Sequence, residues 1–283
     1  MAIATDLEDR QVDAGGLRTR YWDVGEGPPV VLLHGIGAHT GFWRAAIPGL
    51  AEHYRLLIPD MCGFGRSQRP SEVSRTAFGD WLAGFIQALD IGPCAAVGNS
   101  MGGGVVLATA LDHPECVDRI VLSDSISLGR NVMFTMRLLT IPLVGELLLR
   151  NNVAAVRRML AMLAVGPDWI WDGLLEETVE MGEEPGAQAF FLEALRWGVS
   201  LFSGFKERAV VLDELGDLAI PVQVIWGRQD PLFPLGDAEA AMPLFRDARL
   251  DVIDDCGHMP HMERPAEFNR LVVEFLTGGD AVS

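Results

Sequence analysis

The chain is short of cysteine, of positive charge and of long apolar runs, and each shortage narrows what it does. Only four cysteines, Cys62, Cys94, Cys116 and Cys256, stand in 283 residues. None falls in a CxxC pair and four are too few for a disulfide scaffold, so free thiols in a reducing, cytoplasmic setting are expected. The 22 basic residues face 39 acidic ones, for a formal charge of −17. A surface of that sign repels phosphate backbones and anionic lipid, so nucleic acid is not an expected partner. The first residues, MAIATDLEDRQVDAGG, lack the basic start and apolar stretch of a secretory leader. The greasiest segment, LLTIPLVGELLL, is interrupted by Pro142 and Glu146 and is too short to span a bilayer. Internal repeats and low-complexity tracts are also absent.

What is present is a series of short apolar runs that end in Gly, Asp, Ser or His: PPVVLLHG, YRLLIPD, CAAVGNS, RIVLSDS, PVQVIWG and RLDVIDD. Helix-length segments such as Gly79 to Leu89 and Met101 to Leu111 lie between several of them. Continuous apolar strands alternating with helices imply an α/β fold with a mostly parallel sheet, covered on both faces, whose functional loops sit at the carboxyl ends of the strands. The alternation fails between Leu128 and Leu212, where Val153, Val156, Leu160 and Leu163 recur at helical spacing. This predicts a core of residues 1–127 and 213–283 interrupted by a helical cap of residues 128–212. The cap divides by charge. Arg130 to Arg158 holds five arginines and one acid, whereas Asp168 to Glu193 holds eight acids and no base. Complementary solvated faces are the plainest account of that split. Pro265 and Gly278 bracket a closing helix.

The chemistry begins at GNSMGG. Ser100 lies between Gly98 and Gly102 in a G-x-S-x-G pattern, directly after the strand-like CAAV and before a helix-like run. A sharp strand-to-helix turn strains the backbone at the serine, and glycines two residues away relieve the crowding. A hydroxyl is a weak nucleophile at neutral pH, so it needs a base, and the base needs an orienting carboxylate. His258 follows the last strand-like run and is the expected base, with His261 as its alternative. Asp230, in VIWGRQDPLFP, is the expected acid and completes the order Ser, Asp, His. Asp124, in VLSDS after an earlier strand, competes for that role. Two N–H donors must also face the oxyanion. Met101 is expected to supply one, and Ile36 or Gly37 of the HGIG loop the other.

The segments LHGIGAHTGFW, IPDMCGFGRSQRP, VGNSMGGGVVLATALDHPECVDRIVLSDS, PVQVIWGRQDPLFP and CGHMPHMERPAEFNRLVVEFL resemble the successive signatures of the α/β-hydrolase fold family. The resemblance covers the chain outside the cap. It implies an eight-stranded, mostly parallel sheet with a helical lid after the sixth strand. Serine at the elbow sets the chain apart from the dehalogenase and epoxide-hydrolase branches, which attack through a carboxylate. GNSMGG and CGH, through Asn99 and Cys256, are similar to the branch that hydrolyses carbon–carbon bonds in the ring-cleavage products of aromatic degradation.

Two features depart from that branch. Met259 stands where a tryptophan follows the histidine, and no Arg or Lys occurs between Arg158 and Arg196 to hold a substrate carboxylate. The sequence therefore favours hydrolysis of a small, hydrophobic carboxylic ester through an acyl group on Ser100. C–C hydrolysis and a slow or non-catalytic ligand receptor are the alternatives. The expected pocket wall contains Asn99, His34, Met133, Phe134, Leu138, Trp169, Trp197 and Met259. No metal or organic cofactor is expected, because the histidines lack ligand spacing. A homodimer is compatible with the sequence.

Overall fold

A computed structural model describes residues 7–149, 153–166 and 173–278. Ten strands occur among them: β1 Arg10–Ala14, β2 Leu17–Val24, β3 Pro29–Leu33, β4 Arg55–Pro59, β5 Cys94–Asn99, β6 Val117–Ser123, β7 Val199–Ser200, β8 Gly204–Phe205, β9 Val222–Gly227 and β10 Ala248–Ile253. Eight of these form one sheet in the order β1-β2-β4-β3-β5-β6-β9-β10. All neighbours from β4 to β10 are parallel, and only β2 runs antiparallel to its two partners. The other two strands make a small hairpin, a pairing that the sequence reading missed.

The apolar runs become strands buried on both faces because successive side chains point to opposite sides. Val31 and Leu33 of β3, Ala96 of β5, and Ile120 and Leu122 of β6 enter one core. Val30, Leu32, Val97 and Val121 enter the other. The first core lies under α2 Arg75–Ala88 and α3 Met101–Asp112, through Phe78, Trp81, Leu82, Val105 and Val106. Ser74 caps α2 by accepting from the Ala77 N–H at 3.1 Å. The second core lies under α1 Ile47–Leu50 and the closing helix, whose Phe268 and Val272 are fully buried beside Trp43 and Leu50. Each such side chain contributes about 2 kcal/mol by leaving water.

Between β6 and β9 the chain leaves the sheet and builds the cap: α4 Phe134–Leu138, α5 Val144–Leu148, α6 Val153–Ala161, α7 Leu174–Glu183 and α8 Ala187–Gly198. Val156 and Leu160 of α6 are buried as the periodicity predicts, whereas Val153 is exposed. The acidic half of the cap does more than face solvent. Glu177 of α7 takes a bidentate hydrogen bond from the Arg44 guanidinium of the core at 2.7 and 2.9 Å, and Glu180 pairs with Arg66 at 3.1 Å. No helix of the described residues is long and apolar enough to cross a membrane.

After the cap come α9 Leu235–Ala241, α10 Pro260–Glu263 and α11 Pro265–Leu276. The carboxyl ends of β3, β5, β6 and β9 and the loop after β10 thus meet beneath the cap, which is where the candidate residues stand.

Candidate active site

Ser100 joins β5 to α3 with φ 56° and ψ −120°. This left-handed conformation is rare for a residue with a side chain, and the packing around it leaves the turn no room to relax. A Cβ on Gly98 would lie 2.4 Å from the Gly102 backbone, and one on Gly102 would lie 2.3 Å from the Leu33 carbonyl oxygen. Both obstacles are main chain, so only glycine fits at either position. The elbow is further pinned where the Ser100 N–H donates to the Ser123 oxygen at 2.9 Å, and where the Ser100 carbonyl accepts from Ile126 at 3.1 Å.

His258 stands on the loop after β10, and its Nδ1 meets Asp230 Oδ2 at 2.9 Å. Asp230 follows β9; its Oδ1 accepts from the N–H groups of Leu232 at 2.7 Å and Phe233 at 3.1 Å. The carboxylate is thereby fixed before it meets the imidazole. The His258 ring also packs edge-on against Phe233, with centroids 4.9 Å apart. The competing acid, Asp124, is fully buried close to both. Burial and the neighbouring Asp230 hold its carboxyl well above the usual carboxylate range.

Asp124, Asp230 and His258 bring ligand-type atoms within 4.8 Å of one another. Asp124 Oδ1 accepts from the Gly227 N–H and Asp230 Oδ1 from the Leu232 and Phe233 N–H groups, so the cluster is a pair of carboxyl groups held by main chain beside an imidazole. His261, the alternative base, stacks on Trp43 at 4.2 Å between centroids and packs against Phe268. Burial pushes its pKa down to about 3. Its ring packs in the core.

The HGIG loop lies against the elbow: a Cβ on Gly35 would come within 3.0 Å of Ser100 Cβ. The N–H groups of Ile36 and Met101 have no hydrogen-bond partner among the described residues. Gly37, with φ 70°, faces the Phe191 ring of α8.

The remaining expectations for the pocket divide. A chamber of about 340 Å³ lies between core and cap, and Met133, Leu138 and Gly37 line it. Phe134 does not, being 63% exposed on a five-residue helix that buries nothing. Trp197 borders a separate cavity of about 40 Å³ with Met101 and Arg208. Asn99 is buried, with Nδ2 donating to the carbonyls of Ser123 at 3.2 Å and His258 at 3.1 Å. It ties the elbow strand to the histidine loop and does not face the chamber. His34 is likewise consumed: its Nε2 accepts from the Met61 N–H at 2.8 Å. Met259 is buried with Ala38, Phe42, Leu160 and Leu175. Trp169 lies outside the described residues.

Residues that sequence reasoning did not reach include Arg69, Phe64, Met136 and Phe191, all in the chamber wall. Arg69 donates to the Pro185 carbonyl at 2.7 Å, while its Nε is buried without a partner among the described residues. Arg158 of α6 also lines the chamber and forms no ion pair with a described residue. Among the described residues, no Asp or Glu is in the wall. Neither Ser100 nor His258 belongs to that wall, and the chamber touches their neighbourhood at Gly37.

Glu263 was also missed. Its carboxylate accepts from the N–H groups of Val165, Gly166, Gly257 and Met259 at 2.7 to 3.2 Å, lashing the His258 loop to the chain after α6. The His258 N–H adds a bond to the Leu163 carbonyl at 2.8 Å. The histidine loop and the cap are thus one hydrogen-bonded unit.

A serine on a strained strand-to-helix elbow, an Asp-paired histidine after the last strand and a helical cap on a mostly parallel sheet define a hydrolase of the α/β class. The chain belongs to the α/β hydrolase fold family, whose model matches residues 28–150 and 190–265. It is 33% identical over 97% of its length to a 2-hydroxymuconate semialdehyde hydrolase of Pseudomonas sp. (strain CF600), covering 95% of that protein. It is 32% identical to a 2-hydroxy-6-oxo-2,4-heptadienoate hydrolase of Pseudomonas putida, over 96% of this chain and 97% of the relative. Among solved structures, a meta-cleavage product hydrolase of Pseudomonas fluorescens superimposes with a TM-score of 0.83 at 32% identity, covering 97% of this chain and 99% of that one. These relatives favour the C–C alternative over the ester hydrolysis that the sequence put first.

Proposed function

We propose that this protein hydrolyses a carbon–carbon bond in a small 2-hydroxy-6-oxo-dienoate acid, with Ser100, His258 and Asp230 as its working triad. The observation that carries this reading is the chamber, an apolar wall that among the described residues holds two cations, Arg69 and Arg158, and no carboxylate. Such a lining suits a hydrophobic substrate with one anionic end. Both arginines lie outside the stretch between Arg158 and Arg196, in which the sequence holds no Arg or Lys.

The chemistry follows from the site. In its keto form a 2-hydroxy-6-oxo-dienoate is a vinylogous 1,5-diketone, so the electrons of the breaking C–C bond can be taken up by the far carbonyl. Ser100 Oγ attacks the carbonyl at carbon 6 while His258 takes its proton, and Asp230 stabilises the imidazolium. The N–H groups of Met101 and Ile36 hold the oxyanion. Carbon 5 already carries the proton that ketonisation moved there from the 2-hydroxyl. The C5–C6 bond then breaks, its electrons pass through the C3–C4 double bond to the carbon 2 oxygen, and that oxygen takes the proton held by His258, releasing a 2-hydroxy-dienoate. Water frees the acyl group from Ser100 as a carboxylic acid. The segment of residues 128–212 acts as the cap that encloses this substrate.

Steady-state comparison of a 2-hydroxy-6-oxo-dienoate acid with short p-nitrophenyl esters tests the proposal. The expected result is a kcat/KM for the dienoate at least about tenfold above that for any ester, since the acid end gains a charged partner that a neutral ester lacks. Faster turnover of the esters would return the protein to the carboxylesterases.

A further inference from the structure

Asp124 is a buried polar residue beside the triad that the triad leaves unexplained. It sits one residue beyond β6 with φ 42°, a left-handed backbone on a buried side-chain-bearing residue. Its own N–H is fixed to the Ile225 carbonyl at 3.0 Å. Its Oδ1 accepts from the Gly227 N–H at 2.9 Å, and its Oδ2 accepts from Ser123 Oγ at 3.2 Å. Two strand ends therefore aim this carboxyl at the Asp230 and His258 side chains, with which it shares a space under 4.8 Å across.

Two carboxylates this close cannot both carry full charge when their side chains are buried. Which one keeps the proton follows from the donors around each. Asp230 accepts from two backbone N–H groups and from the imidazole, whereas Asp124 accepts from one N–H and one hydroxyl. The charge settles on Asp230 and the proton on Asp124, in accord with the upward push that burial and Asp230 give the Asp124 carboxyl.

We propose that Asp124 is a positioning residue for the hydrolytic reaction, a carboxylic acid that hydrogen-bonds Asp230 and holds that carboxylate against His258. It touches no substrate atom. Its proton spreads part of the Asp230 charge, so that the imidazole meets a fixed and moderated anion. The titratable groups facing it are Asp230, His258 and the Cys256 thiol, which burial keeps protonated. The proposal rests on the triad reading, but the two fail separately: loss of the triad reading shows as retained activity in Ser100→Ala, whereas this proposal is decided among Asp124 variants alone.

Asp124→Asn keeps an acceptor for Gly227 and gives Asp230 an amide donor. Asp124→Ala keeps neither. With p-nitrophenyl acetate and a dienoate acid as probes, kcat is expected to fall about threefold in the Asn variant and about thirtyfold in the Ala variant, with KM within about twofold in both. The acid limb of the kcat/KM profile should move to higher pH in Asp124→Ala, because an undiluted Asp230 charge favours the imidazolium, and should stay in place in Asp124→Asn. Should the Ala protein fail to fold, Asp124→Ser, too short to reach Asp230, carries the same contrast. Equal losses in the Asn and short variants, or an acid limb that no variant moves, would overturn the proposal, since a purely structural residue produces that pattern.

Discussion

Ser100→Ala is expected to lower kcat by roughly five orders of magnitude while the protein keeps its fold. The reasoning starts from the elbow. Its strain is carried by main chain, with Gly98 and Gly102 filling spaces that no Cβ could enter and the Ser100 N–H and C=O both bonded. Removing one hydroxyl disturbs none of this, so thermal unfolding should stay close to that of the parent. What disappears is the nucleophile, leaving only the oxyanion donors and binding to assist water. Purified wild type and variant, assayed side by side with the dienoate acid, give the ratio. Equal rates would remove Ser100 from the chemistry.

Asp230→Asn should cost about four orders of magnitude in kcat with little change in KM. The direction of the amide is set by the structure. Oδ1 is held by the Leu232 and Phe233 N–H groups, so the new NH₂ must take the Oδ2 place and face His258 Nδ1. An N–H there demands that Nδ1 accept, which puts the imidazole proton on Nε2 and removes the base that Ser100 requires. A fall of less than tenfold would transfer the orienting role to Asp124, the competitor that lies beside it.

The contrast between what was legible in the sequence and what was not has physical causes. Strands β3, β4, β5 and β9 and the second half of β6 announce themselves because they are buried on both faces and therefore read as nearly unbroken apolar runs. The β1–β2 hairpin does not. It lies at the sheet edge, and Arg10, Arg18 and Arg20 interrupt its pattern, the last satisfied by Asp9 and Asp60 only once the chain is folded. The placement of Ser100, Asp230 and His258 at one end of the sheet was legible because each follows a strand, and strand ends converge in a parallel sheet.

The chamber was harder. Its wall joins Gly63, Phe64 and Arg69 from beyond β4 to helices far along the chain, and no local pattern links them. Phe134 was misplaced because five residues of helix carry too little periodicity to reveal a face, and that helix buries none of them. Asn99 and His34 looked like contacts for a ligand yet satisfy backbone groups. A buried polar side chain near a site is as often its scaffold as its surface.

The central claim is that the elbow serine is the group His258 activates. Treatment of the wild-type protein with a fluorophosphonate, followed by intact mass and peptide mapping, tests this most directly. The account predicts a single phosphonyl adduct on Ser100, absent from Ser100→Ala and slowed by orders of magnitude in His258→Ala. Modification at another residue, or labelling of Ser100 at an unchanged rate without His258, would contradict it.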